Sequence, residues 1–317
     1  MDFNELYSIK NEAERVNRTY DIFDEEKRFS SKAARVEFIT TVQYIEKYLK
    51  PGDRILDIGA GTGAYSIYFS RNGYEVSALE LADANIRAFR KKIMPSDCID
   101  LVQGNALDLS RYPDNHFDIV LVLGPLYHLK NDEDKQRCIE EAKRVCKDGG
   151  KIFFAFISND MVTLTEFAYD EKYFLGDTYD HETFKVFDFP FVFHTLDEMR
   201  QILRRGGVKI LNEVASDGVS ELMAERINNL DELSYEQYLR YHFYTCEKPE
   251  MLGRSNHLLF ATEKEQQKCF VACLPQSIFY TKESVVKQAP PLRQKKPGSK
   301  KSAHAGRIFS YGIKLLP

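Results

Sequence analysis

The sequence predicts a doubly wound α/β fold, and three observations carry that expectation. Short apolar runs recur at residues 55–56, 74–79, 99–103 and 117–123; a glycine-rich turn, Gly59-Ala60-Gly61-Thr62-Gly63, follows the first; and residues 132–146 show helical spacing between the fourth run and a fifth at 151–157. A strand, helix, strand rhythm of this kind belongs to a parallel sheet wound with helices. The run 117–123 is of the type buried on both faces of such a sheet.

Taken in order, residues 28–49 place Phe38, Val42, Ile45 and Leu49 at helical spacing, so an amphipathic helix is expected to cover the sheet. Upstream, Tyr20-Asp21-Ile22-Phe23-Asp24-Glu25 is read either as a closure over a ligand or as a docking segment without ligand contact. Ile55-Leu56 then breaks at Asp57-Ile58-Gly59. Glycines at alternate positions let the backbone turn sharply and approach a ligand. A helix from Ala64 would aim its N-terminal N–H groups at that ligand. The second strand ends in Glu80, a carboxylate suited to a ribose diol, and the third is followed by Gly104-Asn105-Ala106, where an adenine edge could be read. In residues 132–146, Ile139, Ala142, Val145 and Cys146 form the apolar face, and Asp148-Gly149-Gly150 is expected to end the helix before the fifth strand.

Gly59-x-Gly61-x-x-Ala64 also satisfies a dinucleotide fingerprint, so the glycines alone leave two cofactors open. Asp57 separates them. A carboxylate beside the first glycine would repel a pyrophosphate, whereas it would pair with the ammonium of an amino-acid moiety. That favours S-adenosylmethionine over NAD.

The residues Leu56-Asp57-Ile58-Gly59-Ala60-Gly61-Thr62-Gly63, Glu80, Gly104-Asn105-Ala106, Phe117-Asp118-Ile119-Val120 and Asp148-Gly149-Gly150 together resemble a class I S-adenosylmethionine-dependent methyltransferase of the type 11 kind, over residues 54–264. The resemblance implies a Rossmann-like, seven-stranded, mostly parallel sheet with an antiparallel last strand and helical or aromatic cap insertions. It implies that Asp57, Gly59, Ala60, Gly61 and Gly63 line the methionine end, that Glu80 binds the ribose hydroxyls, that Leu81 packs on the adenine, and that Asn105 and Ala106 sit at its edge, with Leu123 completing the cofactor set. Many relatives carry Asp where Asn105 stands; an amide can still accept from the adenine amino group. The helix expected at 195–205, the strand at 208–214 and a last strand at 257–262, antiparallel beside it, follow from the same resemblance.

Ligands of open α/β sheets bind at the carboxyl ends of strands, so Gly124-Pro125-Leu126-Tyr127-His128 is where a transferred methyl should emerge. Positioning alone can supply roughly 7–11 kcal/mol, so a dedicated base is not required. His128 is the candidate base because an unperturbed imidazole titrates near neutrality, the alternative being a structural histidine; Tyr127 would orient the acceptor or the methyl. Glycine at 124 offers no side-chain acceptor for an exocyclic amine, which disfavours a base-modifying enzyme.

Composition sets the outer limits. A chain of 317 residues with 43% hydrophobic content holds one large domain or two small ones. The organisation expected is a helical cap over 1–50, the methyltransferase domain over 51–264 with insertions at 159–193 and 220–250, and a basic, disordered tail over 265–317. No apolar run approaches the roughly 20 residues of a membrane helix, and no leader-like pattern opens the sequence, so a cytoplasmic protein is expected. Six cysteines without C-x-x-C spacing point to reduced thiols and no metal site.

The tail carries ten lysines and arginines against two acids, so of the total charge of −4 it leaves −12 on residues 1–264. An acidic body opposes a polyanion. The expected partner is therefore a small molecule rather than nucleic acid or membrane, with oligomeric state open. An RNA methyltransferase using the tail, and a non-catalytic cofactor-binding protein, are the alternatives. Residues 159–193 include ten aromatics and eight acids against two lysines, and were they to line a pocket it would suit a neutral or cationic molecule; a packing cap explains them equally. Residues 220–246 read as one helix. Arg254-Ser255-Asn256-His257 reads as polar groups near the pocket or as a capped turn.

Overall fold

A computed structural model describes residues 6, 8–188 and 190–264; Phe189 and the basic stretch 265–317 lie outside the described residues. The sheet runs β3-β2-β1-β4-β5-β8-β7. Its strands are β1 (Arg54–Ile58), β2 (Glu75–Glu80), β3 (Ile99–Gln103), β4 (Phe117–Val122), β5 (Cys146–Ser158), β7 (Val208–Ala215) and β8 (His257–Lys264). The first five are mutually parallel, and β8 inserts antiparallel between β5 and β7. One strand more than the expected seven is present: β6 (Phe193–His194) pairs with the end of β5 at Ile157 and Ser158. A two-residue strand is too short for periodicity to reveal.

The chain order along the sheet reverses direction at β1. Right-handed crossovers then put the helix α3 (Ala64–Arg71), between β1 and β2, and the helix α5 (Asp132–Val145), between β4 and β5, on opposite faces. Between them the strand residues Ile55, Leu56, Val120, Leu121, Phe153 and Phe154 are fully buried and form the centre of the core.

Helix α2 (Lys32–Glu46) is capped by the Ser31 side chain, which accepts from Ala34 N, and it packs against β8 and the C-terminal helices. Preceding it are α1 (Glu12–Thr19) and a single 3-10 turn at Glu25–Lys27. The remaining helices are α4 (Asp83–Lys92), α6 (Asn159–Tyr169), α7 (Leu196–Arg205), α8 (Ala224–Asn228), α9 (Glu232–Thr245) and α10 (Pro249–Leu252).

Two local expectations are corrected. Asp148-Gly149-Gly150 does not end α5: the helix stops at Val145, and the three residues fall inside β5, where the pairing with β4 slips between Phe117 and Ile119. Gly150 is needed there for close approach, because a Cβ would lie 2.7 Å from the Asp118 carbonyl oxygen. Residues 220–246 are not one helix. Asp231 caps α9 anew through Ser234 N, so α8 ends at Asn228 and the chain turns between them.

Candidate functional site

Asp57 occupies the central strand, opposite Ala78 of β2 and Leu121 of β4, at the point where strand order reverses. That is where ligands of open sheets bind. Gly59, Gly61 and Gly63 all have positive φ, at 72°, 56° and 84°. The loop they make is held by its backbone: Gly59 N and Ala60 N both donate to Leu79 O, at 2.8 and 3.1 Å. Gly63 lies directly against Phe89 of α4, where a Cβ would meet the ring at 2.2 Å.

Glu80 is buried at the end of β2 and rivets three segments together. One carboxylate oxygen accepts from Gly61 N at 2.7 Å; the other accepts from Ala82 N at 2.7 Å and from Asn85 Nδ2 at 3.3 Å. Burial raises its pKa, and these bonds oppose the rise. Asp57, 1% exposed, accepts from the Ser66 hydroxyl at 2.7 Å. Burial lifts its carboxyl to about 6, the Ser66 bond holds it down in part, and the neighbouring Glu80 adds to the rise. A raised carboxyl contributes most to folding while protonated, below about pH 4, and that contribution is lost as pH rises through 6. At neutral pH the folded protein therefore holds an anion poorly compensated by its surroundings.

Both carboxylates face a cavity of about 290 Å³. It collects the carboxyl ends of four strands: Asp57, Gly59, Ala60 and Gly61; Glu80 and Leu81; Asn105 and Ala106; Leu123, Gly124, Tyr127 and His128. Every cofactor residue expected from the sequence except Gly63 lines it. Gly63 instead begins α3 in the left-handed conformation and shapes the loop from behind. The Asn105 side-chain oxygen accepts from Leu107 N at 3.0 Å, closing a local turn, so the carbonyl offered to an adenine amino group is already partly engaged.

His128 is 7% exposed, and its Nε2 pairs with the Tyr20 hydroxyl at 2.9 Å. Its Nδ1 is buried without a hydrogen-bond partner among the described residues. Burial, with the positive charges of Arg15 and Arg28, lowers its pKa to about 3. The near-neutral imidazole that made it a candidate base is thus corrected to a neutral ring of low basicity. Tyr127 is buried as well, and its hydroxyl accepts from Arg28 Nη1 at 3.4 Å. Burial keeps the phenol above its usual pKa, against the pull of Arg28.

The other wall comes from the N-terminal segment. Glu12, Val16, Tyr20, Glu25, Arg28, Phe29 and Glu37 line the cavity, so the stretch around Tyr20 closes over the loop. Glu25 reaches the loop itself, at 3.6 Å from where a Gly61 Cβ would stand. None of the described residues of the aromatic stretch 159–193 lines the cavity; rings of the stretch pack on one another, as Tyr173 on Tyr179 and Tyr179 on Phe184. Phe191 alone among its described rings meets Tyr127 and His128, edge-on to the first and tilted to the second, with ring centroids 6.0 and 5.1 Å away. Arg28 and Glu37 were missed in the sequence. The available signal was Glu37 itself, an acid on the α2 face that buries Ala33, Thr41 and Tyr44.

Ser255 and Asn256 are buried: Ser255 bonds Asp217, and Asn256 bonds Glu221 and Thr165. The described cysteines Cys98, Cys138, Cys146 and Cys246 are free thiols. Among the described residues no group of three metal-ligating side chains is brought together, and no helix is long and apolar enough to cross a membrane.

Residues 56–154 match the family described as "Methyltransferase domain". Among curated proteins, the chain is 31% identical over 119 residues to a demethylmenaquinone methyltransferase of Clavibacter sepedonicus, covering 38% of this chain and 47% of that one. It is 32% identical over 143 residues to a ubiquinone/menaquinone biosynthesis C-methyltransferase of Shewanella halifaxensis, covering 43% and 51%. The matched part spans about half the length of these relatives. A solved structure from Thermotoga maritima, described as a SAM-dependent methyltransferase and possible histamine N-methyltransferase, aligns with a TM-score of 0.48 at 16% identity over 80% of this chain and 98% of that one.

Proposed function

We propose that this chain, whose residues 56–154 match the methyltransferase-domain family, transfers the methyl group of S-adenosylmethionine to a small-molecule acceptor. The observation that carries the reading is Asp57: a buried carboxylate with a raised pKa, at the strand-order reversal, facing a loop of positive-φ glycines. An ammonium group supplies the counter-charge that carboxylate lacks. Bound there, S-adenosylmethionine would supply an electrophilic methyl on a positively charged sulfur, with the neutral thioether as leaving group.

The chain's own residues then have positional work. Asp57 pairs with the ammonium, Glu80 offers its remaining lone pairs to the ribose hydroxyls, and Ala106 with Asn105 borders the base. Tyr127, its oxygen accepting from Arg28, keeps its own proton for donation to a ligand in the cavity it lines. The acceptor's proton leaves to water or to the acceptor's own basic group, since neutral His128 is a weak base. The acceptor is selected by the wall made from residues 12–37, and a cofactor-binding core over 51–264 with an N-terminal cap is the organisation that fits. The free thiols suit a reducing compartment, and a cytoplasmic site is part of the proposal.

Thermal denaturation is the direct test. At about 100 times its Kd, S-adenosylhomocysteine is expected to stabilise the protein by about 2.7 kcal/mol, a rise of roughly 5–10 °C, with no rise from NAD. The reverse pattern would establish the dinucleotide reading instead.

A pH series separates Asp57 from the rest of the site. Its carboxyl must give up a proton to pair with the ligand, so affinity for S-adenosylhomocysteine should fall as pH drops below about 6, approaching tenfold per unit. Asp57→Asn should bind weakly and without that acid limb. Calorimetric titration from pH 4.5 to 7.5 reads both, and an unchanged limb in the variant would remove Asp57 from the site.

A further inference from the structure

A row of charged side chains runs from the cavity wall to His257 at the start of β8 and Asp217 after β7. Arg28 Nη1 donates to Glu25 Oε1 at 3.2 Å, and its Nη2 donates to Glu37 Oε1 at 2.7 Å. The other Glu37 oxygen lies 3.7 Å from His257 Nδ1, which is 2.8 Å from Asp217 Oδ2. The second Asp217 oxygen accepts from His257 N and from the Ser255 hydroxyl. The signs alternate along the row when His257 is charged: Glu25, Arg28, Glu37, His257, Asp217.

Glu37 and Asp217 are 8% and 5% exposed, and buried carboxylates of this kind need a cation close by. Arg28 serves one side of Glu37 and His257 the other. Both carboxylates approach the same ring nitrogen, Nδ1, so without the imidazolium they would repel one another beside a neutral ring, and Glu37 would keep Arg28 as its only cation among the described residues. Glu25, Arg28, Glu37 and Tyr127 line the cavity; His257 and Asp217 do not.

We infer that His257 is a positioning residue: clamped between Asp217 and Glu37, it fixes Glu37 and through it Arg28, which holds the Glu25 turn and the Tyr127 hydroxyl in place over the cofactor cavity. The inference rests on the proposed cofactor reading. The charged groups facing His257 are Glu37 of α2, Arg28 before it, and Asp217 and Glu221 after β7, with His242 of α9 beside Asp217. Burial pulls the imidazole down, but Glu37 and Asp217 outweigh it and lift it to about 9. The clamp is therefore complete at neutral pH and is lost as pH rises through 9.

Calorimetric titration of the full chain with S-adenosylhomocysteine, wild type against His257→Gln from pH 7 to 10, tests this. The ratio of the two Kd values cancels the ligand's own titration. At pH 7.5 the variant should bind about tenfold more weakly, and the gap should close above pH 9. Asp217→Asn, which keeps the shape of the contact, should move the loss of wild-type affinity to lower pH. Equal affinity at pH 7.5, a ratio constant with pH, or an unmoved midpoint in Asp217→Asn each overturns the inference. Failure of the wild type to bind at any pH removes the cofactor reading, and this inference with it.

Discussion

Gly63→Ala is expected to cost about 2–5 kcal/mol of stability, through a left-handed backbone penalty and an overpacked contact acting together. Its φ of 84° disfavours any residue with a Cβ, and the added methyl would stand 2.2 Å from the ring of Phe89, itself fully buried in α4. Gly73 makes the control. Its φ is 91°, yet nothing lies within 4 Å of the position a Cβ would take, so Gly73→Ala should show the backbone part alone, about 1–2 kcal/mol. Denaturant unfolding of both variants measures the difference. Equal costs at the two sites would mean that Phe89 yields and that the loop is not shaped by α4.

Glu80→Ala carries the largest expected loss of binding. The substitution strands the Gly61 and Ala82 N–H groups and the Asn85 amide in a buried place, where each lost bond to a charged acceptor is worth about 1.5–3 kcal/mol. A stability loss of about 3 kcal/mol and at least a hundredfold loss of affinity for S-adenosylhomocysteine are expected, because the same bonds shape the loop and the ribose site. Glu80→Gln keeps an acceptor oxygen and should fall between. Affinity in Glu80→Ala within threefold of wild type would separate Glu80 from the ligand and leave it a purely structural rivet.

The half of the site made by the sheet was legible because it is local. Asp57, the glycines, Glu80 and Asn105 each stand at the end of an apolar run, and a strand end at a strand-order reversal has one place to go. The other half was not, because it depends on which distant segments meet. The density of rings in 159–193 did not disclose what the rings pack on; Tyr173 and Tyr179 are buried against one another, while Phe167, Tyr169, Phe184 and Phe187 stay exposed. Arg28 stands in the charged run Asp24-Glu25-Glu26-Lys27-Arg28, and only the fold brings it to Tyr127, 99 residues on. His128, singled out as a candidate base, lines the cavity, but its low basicity arises from Arg15, Arg28 and the enclosure that Tyr20 and Phe191 complete. Ionisation is set by neighbours that spacing along the chain does not disclose.

The insertion of β8 between β5 and β7 has a consequence for the order in which the protein is assembled. During synthesis the glycine loop and its carboxylates emerge within the first 130 residues, and β1 to β4 can pair as they appear. Among the described residues β7 pairs only with β8, so that pairing waits until residues 257–264 leave the ribosome. His257 is the first residue of that same strand. The N-terminal wall of the cavity, made first, thus receives its anchor with the last described strand, and a nascent chain would hold a formed loop beneath an unfastened cover.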